Sequence, residues 1–337
     1  MLRMPEFEVH QPATAAEAVA LRASLPQSMY VAGGTDLYPN LKHHLHAPSH
    51  LVSLGRVEGF DTITMAPDGA LRLGAGVTLH TLATSTLLQQ EVPGLALAAS
   101  LVAGPQHRRM GTLGGNVMLD TRCRYINQTH FWRKSLGYCL KKDGTLCHVV
   151  AGGRKCVAAA SNDSAPALMT LGGMLTFKSA KGSREVLIDE LWHTDGIYNK
   201  KAKPDELLVS VRVPPQKAGH RGAYGKLRER GSFDFPQLGI AVRLDLDART
   251  VADADVVVVA LQARPLRIKG AADMLRGKNI GDKAFEDAAR QVADRAFQQC
   301  HPMPNIPGDP DYRREMVPVY VRKTLLAAAG LGERPLS

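Results

Sequence analysis

The sequence predicts a mixed α+β protein of at least two units. Three observations carry that expectation. Strand and helix signals alternate through the first sixty residues. The pair Pro214-Pro215 closes a strand pattern and opens a polar stretch, which marks a boundary near residue 218. Beyond it, two strand patterns precede two long helical patterns, as expected of a separate α+β unit. A length of 337 residues agrees, since domains run to roughly 100–200 residues each.

Taken in order, Thr14 and Glu17 have capping-box spacing ahead of an apolar stripe at Ala18, Leu21 and Leu25, which predicts a helix. Met29 to Ala32 reads as a short strand. Gly33-Gly34-Thr35-Asp36 is a tight loop, and a helical turn starts at Leu37. Leu51 to Leu54 is a second strand. Residues 70–79 alternate, with Leu71, Leu73 and Ala75 on one face, and read as a third. Leu95 to Val102 is a buried helix that stops before Gly104-Pro105. Gly111-Thr112-Leu113-Gly114-Gly115-Asn116 is a second glycine loop.

Residues 121–160 lack apolar periodicity. A stretch of that length without elements is unusual inside a compact domain, so something other than a hydrophobic core organises it. Regular structure resumes at Ala165 to Leu171, and a strand spans Leu207 to Val213. The tail has strands at Gly239 to Leu246 and Val251 to Leu261, then helices at Ala284 to Phe297 and Tyr312 to Ala329.

Apolar residues make up 45% and charged residues 22%, ordinary for a globular chain. No run approaches the ~18–20 apolar residues of a membrane span, and Met1 to Glu6 do not read as a signal peptide. A cytoplasmic protein is expected. The formal charge of +10 would suit nucleic acid, or an acidic partner or anionic cofactor. Aromatics at 5% supply no stacking platform, so no nucleic acid is expected.

Four of the five cysteines fall in the structure-poor stretch, as Cys123, Cys139, Cys147 and Cys156, spaced C-x15-C-x7-C-x8-C. Disulfides are not expected in the cytoplasm. Four thiolates suit a 4Fe-4S cluster or one zinc ion. The paired C-x2–4-C spacing of zinc sites and the usual ferredoxin spacing are both missing, so spacing leaves the metal open. Packing as small hydrophobes is the third possibility. Tyr125, Trp132 and Tyr138 suit shielding of a cluster, while Cys300 reads as uninvolved.

The two glycine loops have the context of anion sites, because successive backbone N–H groups bind phosphate without a charged side chain. Neither matches G-x-G-x-x-G or the P-loop. Two such loops can hold one pyrophosphate from both sides; two unrelated tight turns fit the pattern equally.

Ala32-Gly33-Gly34-Thr35-Asp36-Leu37 and Thr112-Leu113-Gly114-Gly115-Asn116 resemble the two FAD-binding loops of the xanthine dehydrogenase and carbon monoxide dehydrogenase flavoproteins. Glu206-Leu207-Leu208, Tyr224-Gly225-Lys226, Asp234-Phe235, Pro307-Gly308-Asp309 and Tyr312-Arg313-Arg314 extend the resemblance to nearly the whole chain. In that family the second loop runs almost directly into an aspartate segment, here Ser161-Asn162-Asp163-Ser164. About forty residues intervene here, and they hold the four cysteines. Asp120-Thr121-Arg122-Cys123, Trp132-Arg133-Lys134, Gly137-Tyr138-Cys139-Leu140-Lys141 and Cys147-His148-Val149 resemble the branch formed by 4-hydroxybenzoyl-CoA reductase β subunits. Serine and asparagine before Asp163 depart from the family's glycine, and Gln106 and Arg109 also differ from its pattern.

The resemblance implies an α+β fold: an α/β FAD-binding domain of the PCMH type in two subdomains, over 1-217 with a 4Fe-4S insertion at about 119-160, then an α+β domain over 218-337 with a three-stranded antiparallel sheet. It implies FAD held by Val31, Ala32, Gly33, Gly34, Thr35, Asp36 and Leu37, by Val102, and by Gly111, Thr112, Gly114, Gly115 and Asn116. Asp163, and with it Asp120, would anchor flavin hydroxyls; Lys226 would lie near the isoalloxazine and Leu208 would pack on it. It also implies a 4Fe-4S cluster on Cys123, Cys139, Cys147 and Cys156. The implied partners are a molybdopterin-containing large subunit and a 2Fe-2S small subunit in a dimer of heterotrimers, with a donor such as ferredoxin. No side chain here is then catalytic on substrate, because cofactors carry the electrons and the protein supplies placement. A relative acting on another aromatic or heterocyclic compound, an autonomous flavin oxidase and a zinc-stabilised non-redox module are the competing readings.

Overall fold

Three sheets organise residues 2–332, the part of the chain described by the computed structural model. The ends of the predicted intervals, Met1 and residues 333–337, lie outside the described residues.

The first sheet is parallel, with β1 (Glu8–His10), β2 (Ser28–Val31) and β3 (His50–Ser53) in the order β1-β3-β2. Parallel neighbours need crossovers, and helices supply them. Helix Ala15–Ser24 starts where the capping box predicts. The Thr14 hydroxyl accepts from Glu17 N–H at 3.1 Å, and the Glu17 carboxylate accepts from Ala13 N–H at 2.8 Å. Ala18 and Val19 face the core. After the loop at 33–36 the chain enters helix Leu37–Lys42.

The second sheet is antiparallel, with β4 (Ile63–Met65), β5 (Leu71–Gly74), β6 (Met174–Ser179), β7 (Gly182–Leu187) and β8 (Leu207–Val213) in the order β4-β5-β8-β6-β7. The strand pattern over 70–79 breaks at Gly74. Gly74 lies against the Phe60 carbonyl, where a Cβ would come within 2.3 Å of the oxygen, and the chain turns there toward helix Leu79–Thr84. Helix Pro93–Ser100 matches the predicted buried helix. The second glycine loop is half helix, because Leu113–Val117 forms a helical turn capped by Thr112. Helix Ser164–Thr170 follows.

The third sheet contains β9 (His220–Leu227), β10 (Leu238–Asp247), β11 (Thr250–Val259) and the two-residue β12 (Leu266–Arg267), antiparallel in the order β12-β11-β10-β9. The expected three long strands are present, and β12 adds a short edge. Ile240, Val242, Val256 and Val258 pack with the C-terminal helices Lys283–Gln299 and Pro310–Ala329, while the alternate residues Tyr224, Ala241 and Val257 join the core of the N-terminal units. A sheet buried on both faces reads as continuous apolar sequence, as at Val256-Val257-Val258-Val259.

Between the second glycine loop and helix Ser164–Thr170 the chain makes a lobe with one short helix, His130–Ser135, and isolated bridges. Polar anchors hold it. Arg133, 2% exposed, donates to the carbonyls of His43 and His44 at 3.0 and 3.2 Å. Arg124 donates to the carbonyls of Asn305 and Ile306 at 2.6 and 2.9 Å. The lobe therefore braces the first sheet unit against the C-terminal unit.

Candidate functional site

A cleft of about 560 Å³ opens where the three units meet. Its size lies in the range of cofactor sites. The first glycine loop forms one wall and the second the adjoining wall, with Asp163 and Lys226 behind them. The loops touch. A Cβ on Gly33 would sit 1.8 Å from the Met110 carbonyl oxygen, so only glycine permits the apposition. Gly34 has φ +70°, which a side chain would strain.

The loops differ in their N–H groups. Those of Gly33, Gly34, Thr35, Asp36 and Leu37 donate to no protein acceptor among the described residues. In the second loop, Gly111 N–H goes to His107, Leu113 to Val77, Gly114 to Ala75, Gly115 to the Thr112 hydroxyl and Asn116 to the Thr112 carbonyl.

At the back of the cleft β9 crosses from the C-terminal unit. Its alternating residues Tyr224 and Lys226 reach the same carboxylate, since side chains two apart share a strand face. Tyr224 donates to Asp163 at 2.8 Å; the Lys226 ammonium meets Asp163 at 3.2 Å and donates to the Leu101 carbonyl at 2.9 Å. Burial drives the Asp163 carboxyl up and the Lys226 ammonium down, and the ion pair opposes both. Asn116 couples this group to the second loop, its Oδ1 accepting from the N–H and hydroxyl of Ser164.

Residues 5–216 match the family described as FAD binding domain in molybdopterin dehydrogenase, and residues 223–328 match the CO dehydrogenase flavoprotein C-terminal domain. The chain belongs to this family of FAD-binding subunits. It is 27% identical to the xanthine dehydrogenase FAD-binding subunit of Escherichia coli O157:H7, over 95% of this chain and 96% of that one. It is 28% identical to the carbon monoxide dehydrogenase medium chain of Hydrogenophaga pseudoflava, over 96% and 97%. A solved structure of carbon monoxide dehydrogenase from that organism superposes with a TM-score of 0.79 at 26% identity, covering 98% of this chain and 100% of that chain. The protein is thus an FAD-binding oxidoreductase subunit of the molybdenum hydroxylase family. No described helix is long and apolar enough to cross a membrane.

Of the predicted cofactor residues in this family member, Val31, Ala32, Gly33, Gly34, Thr35, Asp36, Leu37, Val102, Gly111, Thr112, Gly115, Asn116, Asp120, Asp163 and Lys226 line the cleft. Two do not. Gly114 is buried against Ala75, where a Cβ would meet the Ala75 Cβ at 2.8 Å, so this glycine serves helix-to-strand packing. Leu208 is 4% exposed within the main core and faces away from the cleft lining. The Asp36 side chain is tied to Arg122 at 2.7 Å and to Asn40 at 2.9 Å, which leaves its backbone as its contribution to the cleft. Lys226 is 1% exposed rather than a surface lysine.

The cleft also holds residues that sequence reasoning missed: His46, Tyr198, Lys200 and Phe233. Lys200 is buried, donates to the Leu119 carbonyl at 2.6 Å and to Asn199 at 2.8 Å, and is pushed down to about 8 by burial. It lies in an aperiodic segment whose packing partners are far away in sequence, so no local signal marked it.

A second, small cavity lies in the lobe. Cys123, Cys139, Cys147 and Cys156 all line it, with Tyr125, Leu140, Lys141 and His148. Among the described residues no three of the four sulfurs lie within 4.8 Å of one another. Burial pushes the Cys123 thiol up to about 11, and the other three cysteines add to the rise. Ala158 N–H points at the Cys156 sulfur at 3.4 Å. His148 is stacked on Tyr125 with ring centroids 5.0 Å apart and bonds the Tyr138 carbonyl at 2.6 Å, so its ring is a wall of the cavity. Cys300 lies apart in the C-terminal core, 1% exposed.

Lys141 links the cysteine cavity to the cleft through Asp120. Its stem lines the cysteine cavity, and its ammonium donates to Asp120 at 2.9 Å, Thr121 at 2.8 Å and the Gly196 carbonyl at 2.6 Å. Asp120, a predicted flavin anchor, lines the cleft but carries this ion pair.

Proposed function

We propose that this chain is the FAD- and 4Fe-4S-carrying electron-transfer subunit of a molybdenum enzyme of the 4-hydroxybenzoyl-CoA reductase type. The observation that carries the reading is the gathering of four thiols from an otherwise irregular lobe around one small cavity beside the cleft. Tetrahedral zinc at about 2.3 Å from each sulfur needs sulfurs about 3.8 Å apart. The wider spread of these sulfurs favours a larger four-thiolate group. Cys123, Cys139, Cys147 and Cys156 would hold it, Ala158 N–H would bond a ligating sulfur, and Tyr125 and His148 would exclude water.

In the cleft, the five N–H groups from Gly33 to Leu37, which have no acceptor among the described residues, suit the FAD pyrophosphate, since unpartnered backbone donors bind anions directly. The buried Lys226 places a cation beside the bound flavin, and Asp163 and Tyr224 hold that cation in position. The flavin, once bound, supplies exchange between one-electron and two-electron carriers. The partners on this reading are a molybdopterin-containing large subunit and a 2Fe-2S small subunit in a dimer of heterotrimers, with a ferredoxin-type donor. The overall change consumes two electrons and two protons per 4-hydroxybenzoyl-CoA and yields benzoyl-CoA and water. The difference at Ser161-Asn162, where the family has glycine, favours as second reading a related enzyme acting on another aromatic or heterocyclic substrate.

Metal and sulfide analysis of the purified protein tests the cluster. About four irons and four sulfides per chain, with broad absorption near 400 nm over a flavin spectrum, are expected. Cys139→Ser should lose the iron. A protein with zinc alone would sink the reading. Turnover of 4-hydroxybenzoyl-CoA by the co-purified complex separates the two substrate readings.

A further inference from the structure

At the amino end of the parallel sheet, opposite the end that bears the cleft, three metal-ligating side chains meet. Glu8 and His10 are two apart on β1 and share its face; His50 is the register partner of Glu8 on β3 and faces the same way. His10 Nε2 and His50 Nδ1 are 3.1 Å apart. The Glu8 carboxylate lies 3.6 Å from His50 Nδ1 and 4.0 Å from His10 Nε2. The ligand atoms of all three fall within 4.8 Å of one another.

We propose that Glu8, His10 and His50 form a divalent-cation site of the zinc class. Zn–N bonds of about 2.0–2.1 Å in a tetrahedron set the nitrogens about 3.3 Å apart, close to the spacing seen here. Two imidazoles and one carboxylate form a ligand set that late first-row ions favour. The imidazoles are 20% and 26% exposed, so the backbone ladder and their surroundings hold them. Glu8 is 68% exposed and closes the remaining gap by side-chain rotation. Binding requires each ring to keep its proton on the nitrogen that faces away from the ion. The fourth position is left to water.

The role is structural. β1 is a three-residue edge strand paired only with β3 among the described strands. An ion bridging the two strands fastens that edge to the sheet whose far end carries Gly33 to Leu37. An ion bound only by the folded state raises its stability.

Zn2+ titration of the purified full-length protein by calorimetry, with Co2+ spectroscopy beside it, tests the site. One ion per chain is expected, with visible Co2+ bands lacking a thiolate charge-transfer band, and a Tm that rises with Zn2+. His10→Ala and His50→Ala should abolish the bands and the rise, and Glu8→Gln should weaken binding at least about tenfold. If the histidine variants fold poorly, Glu8→Gln, altered only at an exposed side chain, still decides. Three results would overturn the site: no binding in the micromolar range, unchanged binding in Glu8→Gln, or Co2+ bands of thiolate type that survive His50→Ala. The first would leave an imidazole–imidazole hydrogen bond alone.

Discussion

The two glycine loops look alike in sequence and do different work. Gly33 to Leu37 presents five N–H groups that no acceptor among the described residues uses, while 111 to 116 turns at least five of its own inward. Glycine serves donor access and close backbone approach in the first loop. In the second, Gly114 serves packing against Ala75, and Thr112 and Gly115 belong to a helix cap. The second loop acts as a buttress: Gly111 packs under Thr35, and Asn116 orients the turn that presents Asp163. A glycine-rich pattern can thus mean free donors or tight packing, and only the destination of the N–H groups tells which.

The largest effect should come where the buttress meets the buried ion pair. Asp163→Asn or Lys226→Met leaves the other partner charged and buried, at a cost of about 3–5 kcal/mol in chemical denaturation. The double variant should cost less than the sum of the single ones, because the orphaned charge is gone.

Gly33→Ala and Gly114→Ala divide the two loops. Each forces a backbone or Cβ clash and should cost about 1–3 kcal/mol in stability. Gly33→Ala should also weaken FAD binding at least about tenfold, whereas Gly114→Ala should leave the FAD Kd within roughly threefold. Equal loss of flavin in both would break the distinction.

Asn116→Ala strips the N–H and hydroxyl of Ser164 of their acceptor and should cost about 1–3 kcal/mol. Its flavin should be retained if the second loop acts only as a support. Flavin titration of the refolded variant checks this.

The smallest effect is a pH dependence from Lys200, lowered to about 8 in the fold against a usual value of 10.5. Its penalty is present in full below pH 8. Between pH 8 and 10.5 the unfolded chain binds more protons than the folded one, so this group's contribution to stability rises with pH. Lys200→Met should flatten that part of the Tm profile.

Much of the fold is legible in the sequence wherever one local signal governs one element. Thr14 and Glu17 mark a helix start, and the apolar pattern of Leu207 to Val213 marks β8. The 174–187 hairpin has only a short alternating pattern, at Leu175 and Phe177, which pack inward there. The strand read over 70–79 ends early because Gly74 meets Phe60, a contact between distant residues.

By itself the sequence determined the α+β class and picked out the glycine loops and the four clustered cysteines as candidates, because each is written in local pattern or residue type. The tertiary structure decided which N–H groups stay free, that Lys226 is buried against Asp163, and that four cysteines spread over thirty-four positions share one cavity. It also moved Leu208 and Gly114 from the cleft into packing. The reason is physical. Donor occupancy, desolvation and convergence depend on residues far apart in the chain, and no local pattern encodes them.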